Sequence, residues 1–218
     1  MCFNIVTNTF EKISSDNIYF MCMHIVKLYC NNIDTNKISK YPLSRLSQCL
    51  NNKEKETTWR LWHEALLTPK IALNMKLYHS NKCPLCDLND PTTKHYLNCE
   101  YFESVWLFIK KTVERSGQVW SDKLKKLGIQ GNGKQCLNNL IFTAHSLIYE
   151  TFIYEFNNYQ YNCNPLIRYK QKIFEILYLE FHLAKLKGEL SILKYSIYWQ
   201  KCDFFFKIMN NSIDIRIN

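Results

Sequence analysis

The sequence predicts a mainly α-helical protein, and three observations predict it. Apolar residues recur at spacings of three and four over long stretches, the period of a helix that buries one face. The 218 residues hold only five glycines and five prolines, too few for the many tight turns of a sandwich or barrel. Finally, Cys83-Pro84-Leu85-Cys86 is followed after eight residues by His95 and, four positions on, by Cys99.

Two cysteines separated by two residues can turn both sulfurs to one point, because the tight turn between them aims N–H groups at the thiolates. His95 and Cys99, four apart, share one face of a helix. Four soft or borderline donors at these spacings match a closed tetrahedral zinc site of type Cys3His. A catalytic zinc keeps a position open for water, and no glutamate stands where it would activate one, so the expected Zn2+ is a structural staple. Three buried cysteines and a core histidine in the same order are the plainer reading. The expected architecture is a helical domain with a Cys3His zinc knuckle followed by a C-terminal helical bundle.

Residues 1–56 read as a helical lead-in, with an amphipathic helix over Asp16–Tyr29, a polar loop over 31–40 and a short helix over Tyr41–Leu50. Residues 57–116 hold the metal site. Thr57 or Thr58 caps a helix whose Trp59, Trp62 and Leu66 share a face, and Pro69 begins a second through Ile71, Leu73, Met75, Leu77 and Tyr78. These two helices are expected to be the shelf under the knuckle, with the tryptophans in the core rather than free for base stacking. Thr92 or Thr93 caps the helix of His95 after an Asn89-Asp90-Pro91 turn, and that helix is expected to continue past Cys99 through Phe102, Val105, Trp106, Ile109 and Val113 to Gly117.

Residues 117–218 form a helical tail. A short lysine-rich helix over Ser121–Leu127 stops at Gly128, and Gly131-Asn132-Gly133 is a flexible linker. Three helices follow: Gln135–Asn157, Pro165–Gly188 and Glu189 to about Met209. Several apolar residues among Phe204, Phe205 and Phe206 fall off a single stripe, so the bundle is expected to have either a wide core or, if aromatics among residues 198–208 are exposed, a protein-partner surface.

The segment from Thr58 to Pro69, then Leu73, Cys83-Pro84-Leu85-Cys86, Thr92-Thr93-Lys94-His95, Cys99 and Val105-Trp106 resembles the zinc-binding domain C-terminal to the reverse transcriptase of LINE-type (non-LTR) retrotransposons. Residues 57–116 match it well, and the tail is similar more loosely. One departure is the three-residue gap between His95 and Cys99, where many relatives have four. The resemblance implies that Cys83, Cys86, His95 and Cys99 bind zinc and that the region assists nucleic-acid binding during reverse transcription. No paired-aspartate polymerase motif and no endonuclease carboxylate cluster is present, so the chain reads as a C-terminal fragment, a relic open reading frame or a reused module.

The charge fits a nucleic-acid partner: 28 basic against 19 acidic residues give +9, a sequence-independent attraction for phosphate backbones. Lys82 and Lys94 flank the knuckle and Lys110, Lys111 and Arg115 extend the positive surface, so RNA or single-stranded DNA is the expected partner. The alternative is a zinc-stapled helical protein-interaction module without nucleic-acid activity. No enzyme is expected. The zinc-peptidase pattern beginning at His63-Glu64 fails because Leu67 stands where its second histidine belongs, and Cys136 and His145 fall on opposite sides of one helix. Ten cysteines without a framework spacing, the lack of a secretory leader and the lack of a long apolar run point to a reducing intracellular compartment, nuclear or cytoplasmic, and to no membrane association.

Overall fold

The computed structural model describes residues 52–88, 92–130, 135–156, 163–199, 202, 205–209 and 212–215, all within one compact unit, Pro42–Asn218. The helices expected over 16–29 and 41–50, the Asn89-Asp90-Pro91 turn, the Gly131-Asn132-Gly133 linker and Phe204 lie outside the described residues.

The fold is mainly α. In chain order come α1 (Asn52–Trp62), α2 (Pro69–Asn74), α3 (Thr93–Asn98), a 3-10 turn (Glu100–Phe102), α4 (Glu103–Arg115), α5 (Asp122–Leu127), α6 (Gln135–Phe156), α7 (Pro165–Leu186) and α8 (Glu189–Trp199). A hairpin of β1 (Phe206–Met209) and β2 (Ser212–Ile215) closes the described chain, antiparallel, with Phe206 opposite Ile215. The last helix was expected to reach Met209 but stops at Trp199. The residues beyond it are rich in β-branched and aromatic side chains, which favour extended pairing.

The packing is organised by α6, which lies against α1, α3, α4, α7 and α8. Instead of one apolar stripe it is buried on nearly every side, so its polar residues sit in the core and must find partners there. Asn138 grips the backbone after α5, accepting from the Ile129 N–H at 2.6 Å and donating to the Ile129 carbonyl at 3.0 Å. Thr143 donates to buried Glu54 at 3.0 Å. Glu150 gathers Lys172 at 2.6 Å, Lys53 at 2.9 Å and Arg168 at 3.6 Å, joining α1, α6 and α7. Burial pushes that carboxyl up, but Lys172 and Lys53 hold it below the usual range.

Several expected starts and stops differ. Thr57 and Thr58 are not caps: α1 already runs from Asn52, and both threonines are buried inside it. The expected shelf under the knuckle is also different, because α2 ends at Asn74 and leaves Ile71, Leu73, Met75 and Leu77 exposed while burying Pro69 and Ala72. The helix carrying His95 breaks at Cys99, whose backbone is extended (φ −61°, ψ 125°), before the 3-10 turn leads into α4. The stops at Gly117 and Gly128 act as read, and two caps not singled out in the sequence join them. Thr68 caps α2 by accepting from the Ile71 N–H, Ser121 caps α5 by accepting from the Leu124 N–H, and Gly117 and Gly128 take positive φ where α4 and α5 end. Trp62 is core, its Nε1–H donating to the Lys126 carbonyl at 2.7 Å, and Trp59 is half-buried beside His63. Of the two outcomes open for the aromatics off the single stripe, the described ones take the wide core: Trp199, Phe205 and Phe206 are buried, Trp199 donating to Glu180 at 2.7 Å and Phe205 stacking on Phe108.

Gly128 is closed to any side chain, since an added Cβ would stand 2.7 Å from Asn138 Oδ1 and 3.0 Å from Phe142 Cζ at a φ of +75°. Gly117 has a similar φ with nothing within 4 Å. Chemical denaturation is therefore expected to show Gly128→Ala losing about 2 to 4 kcal/mol and Gly117→Ala about 1.

His145 gives a second check. Its Nε2 lies 2.9 Å from the Lys125 carbonyl, which can only accept, so Nε2 carries the proton and Nδ1 faces the Thr58 hydroxyl at 3.4 Å. Burial lowers its pKa from 6.5 to about 4. The unfolded chain binds this proton more tightly, so the contribution is whole above pH 6.5 and is lost as pH falls toward 4. Relative to His145→Gln, the wild type is expected to lose about 3 kcal/mol across that window, measured by urea unfolding at each pH.

Candidate metal centre

Cys83 opens a tight turn held by its own backbone: its N–H donates to the Leu88 carbonyl at 2.9 Å, and the Asp87 N–H donates to the Cys83 carbonyl at 3.0 Å. Asp87 closes the turn at φ +61°, a conformation that aspartate tolerates better than most residues. The turn presents N–H groups to sulfur. Leu85 N–H donates to Cys83 Sγ at 3.4 Å, and the backbone of Cys86 also serves Cys83; Leu88 serves Cys86 and Tyr101 serves Cys99. Such donors stabilise thiolates.

The other two donors come from α3. His95 sits in it and Cys99 at its C-terminal end, and the break at Cys99 aims the Tyr101 N–H back at the sulfur. Tyr96, next to His95, donates to the Leu67 carbonyl and packs its ring 4.1 Å from that of Phe152 on α6. The His95 ring stands edge-on to the same Phe152 at 6.5 Å, and Tyr78 on the approach to the knuckle packs against Phe156 at 5.3 Å. Thus α6, rather than α2, is the floor of the site.

All four ligand atoms lie within 4.8 Å of one another. Cys83 Sγ is 3.8 Å from Cys99 Sγ, and Cys86 Sγ is 3.3 Å from His95 Nε2. Cys83, His95 and Cys99 are buried and Cys86 is half-buried, so the cluster opens to solvent on the Cys86 side alone. The hydrogen bond from Cys99 holds the Cys83 pKa down to about 4, and the same contact raises Cys99. Burial, followed by the proximity of Cys83, raises Cys86. One sulfur therefore carries charge at the expense of its neighbours, and a cation among them would relieve that competition. The four residues could hold a metal ion, and among the described residues they are the one such Cys/His cluster.

The five basic residues expected to meet nucleic acid are all exposed. Lys94 follows Thr93 into one cleft with Lys126 and Asn98. Lys110 lines a second, of about 380 Å³, whose wall includes the ligand Cys99 together with Trp106 and Trp120. Lys125 and Asn98 belong to both clefts. The structure does not bring Lys82, Lys111 or Arg115 into either. Lys125 and Trp120 were not singled out from the sequence. Lys125 Nζ stands 4.8 Å over the Trp106 ring and 3.3 Å from Asn98 Oδ1, and burial lowers its pKa. The lysine-rich run after Trp120 was the available signal, but only packing sets that run beside α3 and α4. Acidic groups are interspersed: Glu103 lies in the second cleft, Glu64 lies 3.8 Å from Lys126, and Lys110 lies 4.0 Å from Glu114.

No family model, curated protein or solved structure matches the chain. The site is thus read on its geometry alone. Cys136 and His145 serve different sides of α6: His145 bonds toward α1 and α5, while Cys136 lies near Tyr198 of α8, whose pKa is raised by burial first, then by Glu180 and Cys136. His79 stays outside the four-donor cluster, exposed beside Tyr78, and His24 lies outside the described residues.

Titration of the reduced chain with Co2+ is expected to reach one equivalent per chain, with the intense absorption of a tetrahedral thiolate site. His95→Ala and Cys99→Ser are expected to weaken Co2+ affinity by at least tenfold, a loss read directly from the same absorption bands.

Proposed function

We propose that Cys83, Cys86, His95 and Cys99 hold one structural Zn2+ and that the helical unit built on it is a non-catalytic module binding RNA or single-stranded DNA. The donor geometry carries the metal assignment. Zinc–sulfur bonds of about 2.3 Å at tetrahedral angles set neighbouring sulfurs about 3.8 Å apart, and set a sulfur and an imidazole nitrogen about 3.5 Å apart. The separations here are 3.8 Å and 3.3 Å. Four protein donors complete a tetrahedron and leave no position for a reacting water. When bound, the ion supplies cross-linking of the 83–88 turn to α3.

Nucleic-acid binding is supported by the surface beside the knuckle. Lys94, Lys110 and Lys125 stand around two clefts that share Asn98, within reach of a chain passing over α3. Trp120 is half-buried in the lining of the second cleft, and the face of an indole is the kind of platform on which bases stack. Three thiolates on one divalent cation leave a net negative centre, and Lys82 and Lys94 next to the ligands offset it while facing solvent. The resemblance of residues 57–116 to the zinc-binding domain of LINE-type retrotransposon proteins agrees with this reading, and implies derivation from such a protein's C-terminal region.

The second reading, a zinc-stapled protein-interaction module, is favoured by the large apolar side chains exposed on α7 and α8. One pair of measurements tests the first. The purified chain is expected to contain one zinc, and its affinity for single-stranded RNA to fall with salt at a logarithmic slope of about −2, reflecting three lysine–phosphate contacts. Lys110→Glu with Lys125→Glu is expected to weaken binding and flatten that slope to about −0.7 or less, one contact remaining. A salt-independent affinity, or none, overturns the nucleic-acid reading and leaves the metal assignment to the zinc measurement.

A further inference from the structure

The cleft of about 380 Å³ beside α3 has a lining of three chemistries. The first is cationic. Lys125 is half-buried there, its Nζ 3.3 Å from Asn98 Oδ1 and 4.8 Å over the Trp106 ring, and no carboxylate ion-pairs with it among the described residues. Burial lowers its pKa and Asp122 opposes that only in part. A half-buried ammonium whose hydrogen bond is to a neutral amide gains from an anion beside it. Lys110 stands in the same lining, 4.0 Å from Glu114.

The second chemistry is aromatic. The Trp106 and Trp120 rings meet at 47° with centroids 6.2 Å apart, a wedge rather than a stack. Trp106 is 6% exposed and its Nε1–H has no hydrogen-bond partner, so this wall holds a donor that no protein acceptor satisfies.

The third is acidic. Glu100 opens the 3-10 turn and Glu103 opens α4. Three residues apart across such a turn, their side chains leave on the same side, and both line the cleft. Among the described residues neither carboxylate has an ion-pair partner. Two carboxylates in a cleft that would receive a phosphate are out of place unless the ligand also brings N–H donors.

A nucleotide brings an anion and a flat ring together, and the volume lies at the small end of the about 300 to 1,000 Å³ typical of ligand sites, room for one nucleotide. The acids then select the base. Guanine alone presents two neighbouring N–H donors, N1–H and N2–H2, which the two oxygens of one carboxylate accept side by side. Adenine and cytosine place a ring acceptor beside their amino group, and uracil sets one N–H between two carbonyls. Each of those edges would turn a lone pair toward the carboxylate, a repulsion that rejects the wrong base.

We propose that this cleft takes one guanine nucleotide, its phosphate on Lys125 and Lys110, its base against Trp120, and its N1–H and N2–H2 edge on Glu100 or Glu103. The proposal rests on the nucleic-acid reading of this surface and narrows it to one base.

The test follows the indole N–H resonances of the full chain, labelled with nitrogen-15 at its five tryptophans, while GMP, AMP, CMP or UMP is added. GMP is expected to shift the Trp106 and Trp120 signals, assigned with Trp106→Phe and Trp120→Phe, with a Kd of about 0.1 to 1 mM and at least about fivefold tighter than the other three. Glu100→Gln with Glu103→Gln is expected to weaken GMP about tenfold and to leave AMP within about twofold, whereas a merely structural loss would weaken both. Lys125→Met is expected to bring GMP down to the affinity of guanosine. Absence of any shift at about 5 mM GMP, or equal affinity for the four nucleotides, overturns the proposal. Uridine heptamers with and without one central guanosine separate the sources: tighter binding of the first assigns the cleft to a base within a strand, and equal binding beside a GMP preference assigns it to the free nucleotide. Salt-dependent RNA binding without a GMP preference overturns this inference and leaves the nucleic-acid reading standing, and GMP binding without RNA binding does the reverse.

Discussion

Three thiols and an imidazole drawn within 4.8 Å of one another set the constraint under which the rest of the unit is built. Sulfur atoms 3.8 Å apart cannot all be charged without a cation. Each nonetheless receives backbone N–H groups that favour the charged form. The backbone is committed to thiolates and the side chains resist one another, a combination that a metal ion resolves. The break of the helix at Cys99 follows from the same demand. A helix continuing through Cys99 would bond its N–H groups along its own axis, whereas the extended residue there frees the Tyr101 N–H to serve the sulfur.

The constraint reaches the bundle through one ring. Phe152 of α6 meets both His95 and Tyr96, and Tyr96 ties α3 to the loop after α1. Because α6 also lies against α1, α4, α7 and α8, it connects the knuckle to the rest of the unit. The polar residues inside α6 make that packing specific: Asn138 matches both backbone groups of Ile129, and His145 requires one tautomer to satisfy Lys125 and Thr58. A purely apolar helix in this position would fill the same space without selecting one register.

Two surfaces of different chemistry result. Beside the knuckle, lysines and tryptophans surround clefts whose acidic neighbours moderate the charge. Along α7 and α8 several large apolar side chains are exposed, among them Leu183, Leu186 and Leu190.

The four residues of the Cys/His cluster were legible from spacing alone, because Cys-x-x-Cys and His-x3-Cys are local geometries that a turn and a helix impose without help from the rest of the chain. The helical class and the ends at Gly117 and Gly128 were legible for the same reason: each depends on bonds within a few residues. What tertiary structure decided were the choices among similar faces. Nothing local distinguishes Phe205 and Phe206, which are buried, from Leu186 and Leu190, which are exposed, since hydrophobicity drives burial without naming the partner. Nor could it show that α6 would support the knuckle in place of α2, or that Lys125 would lie over Trp106. Those contacts join residues far apart in the chain, and their energies exist only once the helices have met.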